Sequence, residues 1–251
     1  MRSDTSHASR DRRKINKIYT RIREQFRERS TEYDMSIETE FQSQTGVPYS
    51  LLMESIIGTI ASAALNANSI VCDIGTGTGN VAFAVADKLP NLEIIGIDIS
   101  SEMLRKASDK KDTGGGPQFI FAPGEWPPLK NSSVDGIICT FCAHHLQNQA
   151  FDSISQILKP GGWLLIVDVG PNPASGFLDN IVYTLKRFVE YRRKRSIAET
   201  YATFYTPEDL TRTLGGRAIE TVSTKVFENP KGEEPYFLML FRKTKGLGFG
   251  S

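Results

Sequence analysis

The sequence predicts an α/β fold: a doubly wound, mostly parallel seven-stranded sheet with an antiparallel C-terminal hairpin and a helical cap. Three observations carry this. Between residues 69 and 169, short apolar, β-branched runs alternate with segments whose apolar residues recur at helical spacing, the pattern of a parallel sheet covered on both faces. A turn with three glycines at alternate positions, "VCDIGTGTGN" (71–80), follows the first of these runs. After residue 170 the alternation stops, and the chain closes with two strand-like runs that have no helix between them.

Taken in order, residues 1–10 are expected to be a disordered tail. Over 11–29, Ile15, Ile18, Tyr19, Ile22 and Phe26 share one helical face with Arg and Lys around the rest. A helix that caps a core is favoured over a membrane-surface helix, because the apolar face is narrow and lacks Trp and Leu. A second helix fits 48–65, with Pro48 at its start. The alternation then predicts strand 69–73, helix 80–89, strand 93–98, helix 101–110, strands 118–122 and 135–141, helix 148–158 and strand 163–169. Right-handed crossovers wind such a chain into a doubly wound sheet. Beyond it come a loop, a helix over 177–195, and a helix opened by Thr206 as N-cap with Pro207 behind it. Strands at 218–227 and 236–243 form the hairpin. One domain is expected over 11–245: a cap at 11–65, a core at 66–170, a cap insertion at 171–205 and a C-terminal helix and hairpin at 206–245. Residues 246–251 read as a tail.

The chain has 251 residues, 39% of them hydrophobic, enough for one full core. Its formal net charge of +1 gives no whole-chain argument for nucleic acid or membrane. Basic residues do cluster at 10–24, read as the solvated back of the capping helix, and in "RRKR" at 192–195, read as a solvated helix end or, more sharply, an anchor for a substrate carboxylate or phosphate. Three cysteines, Cys72, Cys139 and Cys142, lie in apolar runs and read as core thiols of a reducing compartment. No second CxxC accompanies 139–142, so no metal is expected. The reading is cytoplasmic, with neither a transmembrane run nor a signal peptide.

The glycine turn invites a nucleotide. Its spacing, D-x-G-x-G-x-G, is not the G-x-G-x-x-G of a pyrophosphate site, and no Arg or Lys waits there for a phosphate. Asp73 stands before it instead and suits a ligand with positive charge. Asp98, ending "GIDIS", is placed to accept from both hydroxyls of a ribose.

"VCDIGTGTGNVAFAVA", "GIDISSEMLRKA", "SSVDGIICTFCAHHL" and "QILKPGGWLLIVD" resemble, in order over about residues 69–170, the motifs of class I S-adenosylmethionine-dependent methyltransferases. The resemblance implies a Rossmann-like fold, S-adenosyl-L-methionine as cofactor, and a site in which Asp73, Gly75, Thr76, Gly77 and Gly79 hold its amino-acid end. Asp98 would take the ribose, with Ile99 and Met103 on the adenine side. The family's usual acidic adenine contact falls where this chain has Pro123. Backbone at Gly124 and Glu125, the Glu125 carboxylate, and the neighbouring Trp126 and Cys139 are then the expected remaining contacts.

Ligands in open α/β sheets sit outside the carboxyl ends of the strands, so "CTFCAHHL" and "DVGPN" face the substrate. His144 and His145 are two of the chain's three histidines. Histidine, with an ordinary pKa of about 6.5, can take a hydroxyl proton near neutrality, and Asp168 could orient it. Against a structural role for the pair, His144 is read as the base and His145 as a cap on the helix near 148. The expected activity is methyl transfer to a small molecule, to a hydroxyl first and to carbon or nitrogen second. A binding protein that kept the pocket without the chemistry stays open, as does a homodimer. Nucleic acid and membrane are not expected partners.

Overall fold

In the computed structural model the described residues are 19–20, 23–24, 33–63, 68–111, 115–170, 204–227 and 236–245. The expected tails, most of the 11–29 helix and the 177–195 helix lie outside them. Helices α1 (Tyr33–Thr45) and α2 (Tyr49–Ser62) precede the alternating core. The core runs β1 (Ser69–Ile74), α3 (Asn80–Lys88), β2 (Leu92–Asp98), α4 (Ser101–Asp109), β3 (Gln118–Phe121), β4 (Val134–Thr140), α5 (Asn148–Ile157) and β5 (Leu158–Val169). Helix α6 (Pro207–Gly215) and strands β6 (Ile219–Phe227) and β7 (Tyr236–Lys243) follow.

The sheet order is β3-β2-β1-β4-β5-β7-β6. Strands β1 to β5 pair in parallel, and β7 runs antiparallel between β5 and β6. Alternation sorts the side chains of the central strands. Cys72, Ile74, Ile137, Cys139, Leu164 and Ile166 face a core made with Phe151 and Ile154 of α5 and Leu210 and Leu214 of α6. Val71, Ile138, Leu165 and Val167 face the other, made with Ile56 and Ile60 of α2 and Val81 and Val85 of α3. The chain steps from β1 outward to β2 and β3, then crosses back to β4, so a topological switch point falls between β1 and β4.

Some boundaries differ from the sequence reading. Helix α1 is not anticipated there: its apolar residues Met35, Ile37 and Phe41 form no continuous stripe, and only Phe41 and Thr45 are buried among its described side chains. Strand β5 begins at Leu158, which already pairs with Val134, and a register shift then takes up the following residues before Trp163 meets Gly136. Thr206 forms the expected cap as a reciprocal box, its hydroxyl accepting from the Asp209 amide while the Asp209 carboxylate accepts from the Thr206 amide.

Candidate active site

The turn after β1 uses glycine because of its backbone. Gly75, Gly77 and Gly79 have φ of 73°, 55° and 80°, in the left-handed region that L side chains avoid. A Cβ at Gly75 would also come within 2.3 Å of the Cys142 sulfur. The bare turn therefore forms part of the wall of an open-mouthed cavity at the switch point.

Asp98 ends β2 and organises this turn. Its Oδ2 accepts from the Gly77 amide at 2.8 Å, and its Oδ1 accepts from the Ser100 amide at 2.7 Å. Burial nevertheless raises its pKa above the ordinary carboxylate range, against those bonds. Asp73 lies beneath, 2% exposed, accepting from the Thr76 hydroxyl at 2.7 Å. Burial pushes its pKa up to about 7, the Thr76 bond opposing and the Asp98 charge adding. A folded-state pKa above the unfolded one means a contribution to stability present below about pH 4 and lost as pH rises through about 7. The unliganded protein should thus lose about 4 kcal/mol from this group between those limits. Denaturant titrations at pH 5 and pH 8 should show somewhat more than half of that drop in the wild type and a flatter response in Asp73→Asn. Equal slopes in both would remove Asp73 as its source.

Two histidines follow β4 on a single 3₁₀ turn, Ala143–His145. His144 Nδ1 stands 2.6 Å from Asp168 Oδ1, and the His144 amide donates to Asp168 Oδ2 at 2.9 Å. The Val169 amide adds a third donor to the same carboxylate at 2.8 Å. Phe204 stacks on the His144 ring at 5.5 Å. His145 lines the cavity; burial, with His144 beside it, holds its imidazole well below the ordinary histidine range. It is therefore neutral near pH 7. His145 does not cap α5: Gln147 is the N-cap, and its amide donates to Glu125 Oε1 at 3.1 Å.

The cavity brings together Gly75, Gly77, Asp98, Ile99, Met103, Gly124, Glu125 and His145 from the expected set. Others are placed differently. Cys139 faces the core beside Ile137, and Cys142 lines the cavity in its place. A hydrogen bond with Cys139, together with burial, keeps Cys142 a thiol. Thr76 is spent on Asp73, Gly79 is packed by Phe83 and Phe119, and Trp126 meets the edge of Tyr19 rather than the cavity. His144 stands beside the cavity rather than in its lining. Tyr19 and Tyr33, aromatics of the expected cap, line the cavity, whereas Thr140 and Phe141, which line it too, are not singled out in the sequence. Strand alternation alone could have excluded Cys139, which shares its face with Ile137. Phe141, a bulky residue at φ 51°, carries no local signal of that conformation.

Three buried lining groups, the Tyr19 hydroxyl, Glu125 Oε2 and Thr140 Oγ1, have no hydrogen-bond partner among the described residues. Such atoms call for a ligand or a water. Among the described residues no cluster of His, Cys, Asp and Glu could hold a metal, and no helix is long and apolar enough to cross a membrane.

A doubly wound sheet with a glycine turn at its switch point and an acid ending the second strand defines a nucleoside-binding α/β enzyme class. Residues 71–162 match the family model described as a methyltransferase domain. The chain is 31% identical over 157 residues to the ubiquinone/menaquinone biosynthesis C-methyltransferase UbiE of Syntrophotalea carbinolica, an alignment covering 61% of this chain and 66% of that protein. It is 32% identical over 151 residues to the uncharacterized methyltransferase YcgJ of Bacillus subtilis, covering 58% of each. The chain thus spans less than two thirds of these relatives' lengths. The magnesium protoporphyrin IX methyltransferase of Synechocystis PCC 6803, solved with bound SAH, shares the fold at a TM-score of 0.65 and 18% identity, over 90% of this chain and 100% of that one. The chain is thus similar over residues 71–162 to the methyltransferase domain family, and it shares the fold of a methyltransferase solved with SAH.

Proposed function

We propose that this protein catalyses S-adenosylmethionine-dependent methylation of a small molecule at a hydroxyl, or at the carbon of an enol or phenol. The observation that carries the reading is the cavity itself. It combines a side-chain-free turn, the half-buried carboxyl of Asp98 with the buried carboxyl of Asp73 behind the turn, and the unpartnered polar atoms of Glu125 and Thr140. These groups fit the cofactor: Asp98 for the ribose, Gly75 and Gly77 for close backbone approach, and the Asp73 carboxyl beneath the turn for its positive charge. When bound, S-adenosylmethionine supplies an electrophilic methyl group on a sulfonium. The remaining work falls to the chain's own residues. Asp168 holds His144 by side chain and backbone, so that an acceptor O–H can lose its proton to the imidazole. Ile74, Ile97 and Met103 supply the apolar part of the lining.

The same base serves two outcomes, because a phenolate or enolate is nucleophilic at both oxygen and carbon. The name of the Syntrophotalea relative supports carbon as the second reading. The test is calorimetry with S-adenosylmethionine and with NADH, followed by a product-mass screen using labelled cofactor and phenolic, enolic and aliphatic hydroxyl acceptors. Expected are binding of the first only and a mass gain of one methyl group. Binding of NADH in its place would overturn the reading.

A further inference from the structure

Helix α1 is anchored unevenly. In its second half Phe41 packs against the rings of Tyr49, Phe141 and Tyr236, at 5.6, 5.8 and 5.3 Å between centroids. Its first two turns bury no described side chain, and Met35 there is 78% exposed. Polar contacts of Asp34 hold that end instead. Its Oδ1 accepts from the Thr78 hydroxyl at 2.5 Å and the Asn80 amide group at 3.1 Å, and its Oδ2 meets Lys110 Nζ at 2.6 Å. Lys110 Nζ also donates to the Thr78 carbonyl at 3.0 Å and to Asn80 Oδ1 at 2.7 Å, closing the network. Thr78 and Asn80 flank Gly79, where the glycine turn becomes α3, and Tyr33, next to Asp34, lines the cavity.

We infer that Asp34 is a positioning residue which, through Lys110, Thr78 and Asn80, latches α1 to the glycine turn and sets how long the cofactor stays bound. The inference rests on the proposed function for the identity of that ligand. The latch ties the part of the cavity wall made by Tyr33 to the part made by Gly75 and Gly77. Once it is released, the first turns of α1 can pivot about Phe41 without exposing a buried apolar side chain. Hydrogen bonds from Lys110, Thr78 and Asn80 hold the Asp34 pKa below the usual carboxylate value, against partial burial, so the latch is charged at neutral pH. The two side chains are 32% and 36% exposed, so salt screens the pair. An isolated pair of that exposure contributes little, but a carboxylate with three donors is a network.

The experiment measures dissociation of S-adenosylhomocysteine by stopped flow from the wild type, Asp34→Asn, Lys110→Gln and the exchanged double variant Asp34→Lys/Lys110→Asp. The single variants should release it roughly tenfold faster, the effect falling in the off-rate as interface changes usually do. The exchanged pair should recover at most part of the loss: the Thr78 hydroxyl and the Asn80 amide can serve either charge, but the Thr78 carbonyl that Lys110 now meets would repel a carboxylate. Added salt should quicken release from the wild type and leave Asp34→Asn much less affected. Melting temperatures without ligand should stay close together, since the latch buries little surface. Wild-type off-rates in both single variants, or a wild-type off-rate that does not respond to salt, would overturn the latch while the cofactor reading stands. A wild type that binds neither S-adenosylmethionine nor S-adenosylhomocysteine overturns both.

Discussion

Replacing His144 with alanine should cut turnover by roughly 10²–10⁴-fold, the usual contribution of a positioned base, and leave cofactor affinity nearly unchanged. The argument starts from Asp168. Its carboxylate, 2% exposed, takes three donors: the His144 ring, the His144 amide and the Val169 amide. With Nδ1–H donated to the carboxylate, the His144 lone pair resides on Nε2, the nitrogen left to accept a proton. Both the tautomer and the ring plane are therefore set before any acceptor arrives, the ring being held also by Phe204. Asp168→Asn should reproduce much of the loss, because an amide can present its NH₂ to Nδ1 and stabilise the wrong tautomer. His145 supplies the control. It lines the cavity, and burial keeps it neutral, so it is the rival base. If His145→Ala loses the activity while His144→Ala keeps it, the roles are exchanged. If both keep it, catalysis is by positioning alone.

The parts of this fold that are legible in the sequence are those governed by neighbours along the chain. Strands β1, β2, β4 and β5 are short apolar runs bounded by turn residues, and their period decides their structure. The glycine turn is legible because φ values of 55–80° leave glycine as the economical choice. The box at Thr206 and Asp209 spans three residues and can be read directly. Contacts between distant residues are not legible in this way. Helix α1 is fixed by Asp34 reaching residues 44 and 46 positions away. The expectation that His145 caps α5 fails because the chain runs extended through Leu146 and Gln147, so that Gln147 is the N-cap. The pairing of His144 with Asp168 was accessible in outline, since adjacent parallel strands bring their ends together. Which histidine lines the cavity was not, because that depends on the turn made by Phe141 at φ 51°.

Asp98→Ala should weaken S-adenosylmethionine binding by about 1.5–3 kcal/mol, the range for hydrogen bonds to charged groups. That corresponds to roughly a 10- to 150-fold rise in Kd. Two roles converge on this carboxylate. It holds the glycine turn and the start of α4 through the Gly77 and Ser100 amides, and it is placed to take the ribose hydroxyls of the ligand. Its burial without a ligand is costly, as its raised pKa records. A purely structural carboxylate would be an odd occupant of that position, since a buried charge helps only when its partners offset desolvation. The two roles separate by changing the ligand as well as the protein. Against wild type, a cofactor analogue lacking the 2′ or 3′ hydroxyl should bind more weakly than the parent compound. Against Asp98→Ala, parent and analogue should bind nearly alike, because the partner of the missing hydroxyl is gone. That non-additivity is the signature of direct contact. If the analogue loses the same factor against both proteins, Asp98 acts only by shaping the turn. The ribose is then read by other groups.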